Sequence, residues 1–256
     1  MSTSISTNPT AHCVHTTADR TALRWEIAIL LVITFGMSGV RSLLRMIEKF
    51  AAPAPLGQQS TTLNSVQSRL PWLDPLFQVL SSAALCAWGG MAVFLLLRHI
   101  PALGLQWRFR GSDMLHGCGL AAIIGIPGLA FYATALQFNL TTSVEPSNLG
   151  NSWLELPLLV LNSWANGFAE ELIVIVWLAT RLRQLNVNWV WIFIASSVLR
   201  GSYHLYQGPS AGVGNIVMGV VYLYYYKKTG RIWPLVIGHA LIDTVAFVGF
   251  AAGVRI

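Results

Sequence analysis

Charge is what this chain has least of. Only 10% of its 256 residues are Asp, Glu, Lys or Arg, against roughly 25% in soluble domains. With 54% hydrophobic residues and a mean hydropathy of +0.58, that scarcity excludes an ordinary soluble domain and predicts a polytopic membrane protein. Cysteine is scarce too. Cys13, Cys86 and Cys118 are scattered and form no CxxC pair, so neither a disulfide framework nor a zinc ribbon is expected. Cys86 and Cys118 fall in apolar runs and read as small packing residues. No basic patch with interleaved aromatics occurs, so nucleic acid is not expected as a partner. The net charge of +6 speaks instead to membrane orientation and anionic lipid. Internal repeats and low-complexity segments are missing. The first 20 residues lack the apolar stretch of a signal peptide. Residues 1–22 are expected to be a disordered cytosolic tail, and 23–256 a single transmembrane bundle. His12 and His15 flank Cys13 in that tail, where an unstructured segment is the simpler reading than a metal tract.

A membrane span needs about 20 apolar residues. Candidate runs lie near 25–40, 76–97, 116–138, 156–180, 190–206, 213–226 and 232–252. The expected fold is an all-α transmembrane helix bundle of seven spans, or eight helical pieces if the fourth run breaks near 162–166. Trp72, Trp153, Trp189, Trp191 and Trp233 each sit at the start of a run, as interfacial aromatics do. Arg20 and Arg24, then Arg98, Arg108 and Arg110, then Arg181 and Arg183, then Lys227, Lys228 and Arg231 fall on one side, and the loop between the third and fourth runs has no basic residue. By the positive-inside rule the N-terminus is cytosolic and the C-terminus outside. The exception is RSLLRMIEKF at 41–50, which reads as an amphipathic interfacial helix. Without an organellar presequence, a bacterial plasma membrane is the expected location.

Against this background a few polar residues are conspicuous. A carboxylate at mid-bilayer costs about 2.5 to 3.5 kcal/mol on insertion scales, yet GFAEEL places Glu170 and Glu171 side by side in the fourth run. Asn162, Asn166 and Glu170 repeat every four residues and share one helix face. Glu171 lies about 100° round and is expected to point elsewhere, so the two glutamates should have different jobs. In the fifth run Arg200 and His204 are four apart, with Gly201 and Gly208 permitting close helix approach. In the seventh, His239 and Asp243 are four apart, the spacing at which a carboxylate can orient an imidazole. His204 alone reads as a structural histidine, and His239 with Asp243 reads equally as a buried structural pair. Counted at 1.5 Å per residue, however, Glu170, His204, His239 and Asp243 all reach mid-membrane depth. Two histidines and two or three carboxylates converging in hydrocarbon point to a functional cavity. Asp113 and His116 open the third run and read as interfacial. Asn215 is a weaker cavity candidate, and Trp177 and Tyr203 read as core or lipid-facing.

The ordered set of a glutamate pair, a histidine closing a span and HxxxD in the last span resembles the CPBP family of CAAX-protease and bacteriocin-processing intramembrane proteases, which includes the Rce1-type prenyl proteases. The resemblance covers about 154–250. The family pattern is EExxxR, FxxxH, then HxxxN or HxxxD. Here these are Glu170-Glu171-Leu-Ile-Val-Ile175, Arg200-Gly-Ser-Tyr-His204 and His239-Ala-Leu-Ile-Asp243. Ile175 stands where the family usually has Arg, and Arg200 where it usually has Phe. A buried carboxylate needs a cationic or donor partner, so Arg200 is expected to pair with Glu171.

The resemblance implies an intramembrane endopeptidase acting on membrane-associated peptides or proteins. Glu170 would be the general base for a water, and His204 would help hold that water. His239 would assist at the substrate carbonyl, with Asp243 orienting its ring. Glu171, Arg200 and Asn166 would support the site. Two histidines and a carboxylate also match a catalytic zinc ligand set in type, so a divalent metal on Glu170, His204 and His239 and a metal-free glutamate mechanism both remain open. Lipid and a membrane-tethered peptide are the expected partners. Two other readings stand beside this one: a non-catalytic relative acting as an immunity or scaffold factor, and a proton-coupled transporter.

Overall fold

The computed structural model describes residues 17–100, 107–149 and 153–251. Helices dominate. Thr17–Ile33 (α1) and Phe35–Ala51 (α2) are followed by Asp74–His99 (α3) and Ser112–Gln137 (α4). Glu155–Glu170 (α5) runs through a π-helical stretch, Glu171–Trp177, into Leu178–Gln184 (α6). Trp189–His204 (α7), Pro209–Thr229 (α8) and Trp233–Ala251 (α9) complete the bundle. Local chemistry sets the boundaries. Asn188 accepts from Trp191 N at 3.1 Å and caps α7. Pro75 and Pro209 occupy the first turns of α3 and α8, where a missing N–H costs nothing. Gly230, at φ 65°, closes α8 in the left-handed conformation.

The rod α5–π–α6 spans Glu155–Gln184 without interruption, about 45 Å at 1.5 Å per residue. It is the axis of the molecule: 67% of its most apolar window is buried, against 22% for α3 and 11% for α4. The break that the asparagines at 162–166 suggested does not occur. The irregularity falls one turn later, as a π segment buried along its whole length. The other helices wrap this rod. α5 packs against α3 and α9, α4 against α9 and α8, and α7 against α8 and α2. Outward faces carry Phe94, Leu115, Ile123, Ile126 and Val245, all largely exposed. That reverses the soluble pattern and suits a lipid surround.

Several expectations change. Among the described residues three helices are long and apolar enough to cross a membrane by length and composition, or four if the bent pair α1–α2 counts as one span, so the expected seven or eight spans are not all reached by that measure. α7 and α9 are short, and α8 is punctuated by glycines and tyrosines that pack inward. The first run is not one straight helix: α1 and α2 meet at Thr34 with a bend of 47°, and the Thr34 hydroxyl turns back to donate to Leu30 O at 2.6 Å. The 41–50 stretch lies within α2, with Arg41 and Arg45 exposed beside Leu43, Leu44, Ile47 and Phe50. α1 begins at Thr17, inside the 1–22 stretch expected to be disordered; His12, Cys13 and His15 lie outside the described residues. Cys86 and Cys118 are exposed rather than packed. The helical bundle also carries two short strands. Ser60–Asn64 (β1) pairs in parallel with Ser143–Ser147 (β2), with Thr61 opposite Val144 and Asn64 opposite Ser147. Asn162 of α5 donates to Asn64, tying this ribbon to the central rod.

Candidate active site

The site is assembled at the junction of α5 and the π segment, facing α7 and α9. Glu170 ends α5 and Glu171 begins the wider turn. A π turn bonds i to i+5 instead of i to i+4 and recurs at functional sites. Both glutamates reach the same polar cluster, contrary to the expectation that Glu171 points elsewhere. They share His239: Nδ1 lies 2.7 Å from Glu171 Oε1, and Nε2 lies 4.0 Å from Glu170 Oε2.

Arg200 supplies the cation. Its Nη2 donates to Glu171 Oε1 at 2.6 Å and its Nη1 lies 3.9 Å from Glu170 Oε2. Arg200 and Glu171 are fully buried. Two charges so far from water are tolerable only when paired and hydrogen-bonded. Met218 Sδ at 3.4 Å and the Tyr222 ring at 5.8 Å complete the guanidinium's surroundings. Ile175, at the family's usual arginine position, is itself buried among apolar side chains of the π segment. The positive charge therefore arrives from α7.

His204, at the C-terminal end of α7, places Nε2 3.5 Å from Glu170 Oε2. Its other nitrogen, Nδ1, meets Gln207 Nε2 at 3.1 Å. Asp243 lies one turn beyond His239, with Oδ2 3.7 Å from its Nε2. That is longer than a hydrogen bond, so the short contact that orients the ring comes from Glu171 at Nδ1, where Asp243 was expected to provide it. Asn166, one turn before Glu170, lines the same cavity, as do Asn162 and Asn215. Sequence reasoning missed Tyr203. Its buried hydroxyl donates to Glu170 Oε2 at 2.7 Å, the shortest contact that carboxylate makes. The available signal was position: Tyr203 is three residues after Arg200, hence a neighbour on one helix face.

Close approach of α9 to α5 makes the cluster possible. A Cβ on Gly167 would meet Val236 O at 3.1 Å, Ala240 N at 3.2 Å and His239 Cβ at 3.4 Å. Gly208, at φ 112° between α7 and α8, allows the turn just after His204. The cluster opens into a cavity of about 2040 Å³ lined by α2, α3, α4, α5, α7, α8 and α9 and by both strands. The lining reaches the ribbon and Asn162. Arg181, Lys227, Lys228 and Arg231 sit at the opposite ends of their helices.

That opposite end has its own buried ties. Arg181 donates to Glu26 Oε1 at 2.7 Å and to Leu95 O at 2.8 Å. Trp177, expected as core, is fully buried and donates to Glu26 at 3.1 Å. Asp113, expected at an interface, is buried against Arg231 Nε at 2.7 Å.

Among the described residues, no three His, Cys, Asp or Glu side chains are placed to share an ion. Glu170 Oε2 is instead held by the Tyr203 hydroxyl, with a guanidinium 3.9 Å away that would repel a second cation.

Paired carboxylates, two imidazoles and a buried guanidinium, enclosed mid-way along the central helix of an integral membrane protein, define an intramembrane site equipped for acid–base chemistry. Residues 151–245 match the family described as type II CAAX prenyl endopeptidase Rce1-like, so this segment is similar to the Rce1-like, CPBP-type proteases. The match takes in all three motifs. Searches of curated proteins and of solved structures returned no match.

Proposed function

We propose that the protein is an intramembrane endopeptidase that hydrolyses membrane-associated peptides or proteins with a water activated by Glu170. The observation that carries this reading is the convergence of His204, His239 and Tyr203 on one carboxylate oxygen of Glu170 at the head of the cavity. Hydrolysis of an amide needs a base for the water, a place for the oxyanion and a proton for the leaving amine. Glu170 takes the water's proton, and His204, 3.5 Å away, holds the water against it. Attack on the carbonyl carbon creates the tetrahedral oxyanion. His239 is fixed through Nδ1–H to Glu171 and, when it carries its second proton, donates from Nε2 to that oxyanion. The proton on Glu170 then passes to the amine as the C–N bond breaks. No step needs a metal.

Supporting residues hold this geometry. Arg200 compensates the buried Glu171, and Tyr203 fixes the Glu170 carboxylate. Asp243 faces His239 from the cavity side. An immunity or scaffold role and proton-coupled transport are less well supported, since neither needs a carboxylate held on three sides beside a wide cavity. The test is a library of membrane-tethered peptides presented to the purified protein in liposomes, with products mapped by mass spectrometry. Cleavage at defined internal bonds is expected. No cleavage across a broad library would remove the reading.

A further inference from the structure

His204 is held from both sides of its ring. Nε2 lies 3.5 Å from Glu170 Oε2, and Nδ1 meets the Gln207 carboxamide nitrogen at 3.1 Å. A neutral imidazole carries one proton, on one nitrogen or the other. Both neighbours favour the same choice. A carboxylate accepts, so the proton belongs on Nε2, where it faces Glu170. A carboxamide nitrogen donates, so it needs the bare lone pair on Nδ1. The same Gln207 nitrogen donates to the Tyr206 hydroxyl at 3.2 Å, which occupies its second hydrogen.

The turn that carries Gln207 is fastened from several elements. Leu205–Gln207 is a single 3-10 turn between α7 and α8. Tyr206 N donates to Ser42 Oγ of α2 at 2.6 Å. Tyr206 O accepts from Thr61 Oγ1 of β1 at 3.1 Å, and Gln207 O from Thr142 Oγ1, just before β2, at 2.8 Å. The β1–β2 ribbon thus clamps the backbone that presents the carboxamide to His204. We infer that Gln207 is a positioning residue that fixes neutral His204 with its proton on Nε2, so that His204 donates to the attacking water and Glu170 alone accepts the water's proton. With the proton on Nδ1 instead, Nε2 would turn a lone pair towards Glu170 and compete with it as base. The catalytic role rests on the proteolytic reading, whereas the position of the proton is measurable without substrate.

The test is NMR of isotope-labelled histidine ring nitrogens in the liposome-embedded protein, at a pH where the ring is neutral, with the His204 signals identified by their loss in His204→Gln. Wild type is expected to show a protonated Nε2 and a bare Nδ1. Gln207→Glu offers Nδ1 an acceptor and is expected to protonate it. Gln207→Leu removes the partner and is expected to lower kcat about tenfold, with KM and melting temperature little changed. A bare Nε2 in wild type, the form of a ring that ligates a metal through that nitrogen, overturns the inference and leaves proteolysis standing. So does an effect of Gln207→Leu confined to KM, which would place Gln207 in substrate binding. Absence of any cleavable peptide in the liposome library removes the proteolytic reading and this role with it.

Discussion

Each polar side chain at the site is held by a neighbour whose loss has its own signature. Arg200→Leu leaves the Glu171 carboxylate buried with His239 as its remaining close partner. Removing one member of a buried ion pair costs about 3 to 5 kcal/mol, so a large fall in thermal stability is expected, with activity lost as well. Unchanged melting and activity would remove Arg200 from the account. Tyr203→Phe is gentler. It deletes one hydrogen bond to a carboxylate, worth about 1.5 to 3 kcal/mol, while keeping the ring packed on Phe35 at 4.8 Å. The expected result is kcat lower by roughly 10- to 100-fold with KM nearly unchanged. A change confined to KM would place Tyr203 in substrate binding instead. Chelator should leave cleavage intact, because the proposed steps need only Glu170, His204 and His239 around a water; loss of cleavage in chelator would contradict that mechanism. Most of this residue-level picture is legible in the sequence. Charges and histidines are costly in hydrocarbon and stand out against apolar runs. Tyr203 does not stand out, since tyrosine is at home in membrane helices whether or not its hydroxyl works. The direction of Glu171 was also hidden, because it depends on a π turn that residue identity alone does not announce.

Elements carry a second kind of constraint. His239 reaches the glutamates because α9 crosses α5 over Gly167, within 3.1 to 3.4 Å of where a Cβ would stand. Gly167→Ala therefore forces α9 outward by a few tenths of an ångström. Because a displacement of about 1 Å can cost 10²-fold in rate, a several-fold loss of kcat is expected from Ala. From Val, a much larger loss with a lower melting temperature should follow. Wild-type turnover by Gly167→Val would show that the crossing does not set the site. Helix content and the long runs of α3, α4 and α5 are readable from hydropathy. The bend at Thr34 and the placement of the irregularity in 171–177 are not. Both depend on tertiary packing: α2 turns to meet α7, and the π stretch is surrounded on all sides by buried partners. The asparagines at 162–166 looked like a break but line the cavity and brace the ribbon, so their polarity is answered without one.

At the scale of the whole molecule the distribution of charge and the placement of the ribbon become linked. Arg181, Arg183, Lys227, Lys228 and Arg231 mark the end of the bundle opposite the β1–β2 ribbon, whose residues line part of the cavity. If that basic end faces the cytosol, as the positive-inside rule has it, the ribbon lies on the other side. In a background lacking native cysteines, Thr62→Cys should react with a membrane-impermeant maleimide added outside intact cells, and Lys228→Cys should react only after lysis. The reverse pattern would put the ribbon in the cytosol and overturn the orientation. The ribbon itself was not legible: STTLN and SVEPS are short, polar and separated by two helices, and only the folded bundle brings them together.

The central claim is that Glu170 activates the attacking water. Its most direct measurement is the single-turnover cleavage rate of a membrane-tethered peptide in liposomes, for wild type and for Glu170→Gln, with the variant's melting temperature recorded alongside. The substitution keeps the shape and removes the base, so a fall of about 10²- to 10⁴-fold, the usual contribution of general base catalysis, is expected with melting little changed. Cleavage by Glu170→Gln at the wild-type rate would contradict the account.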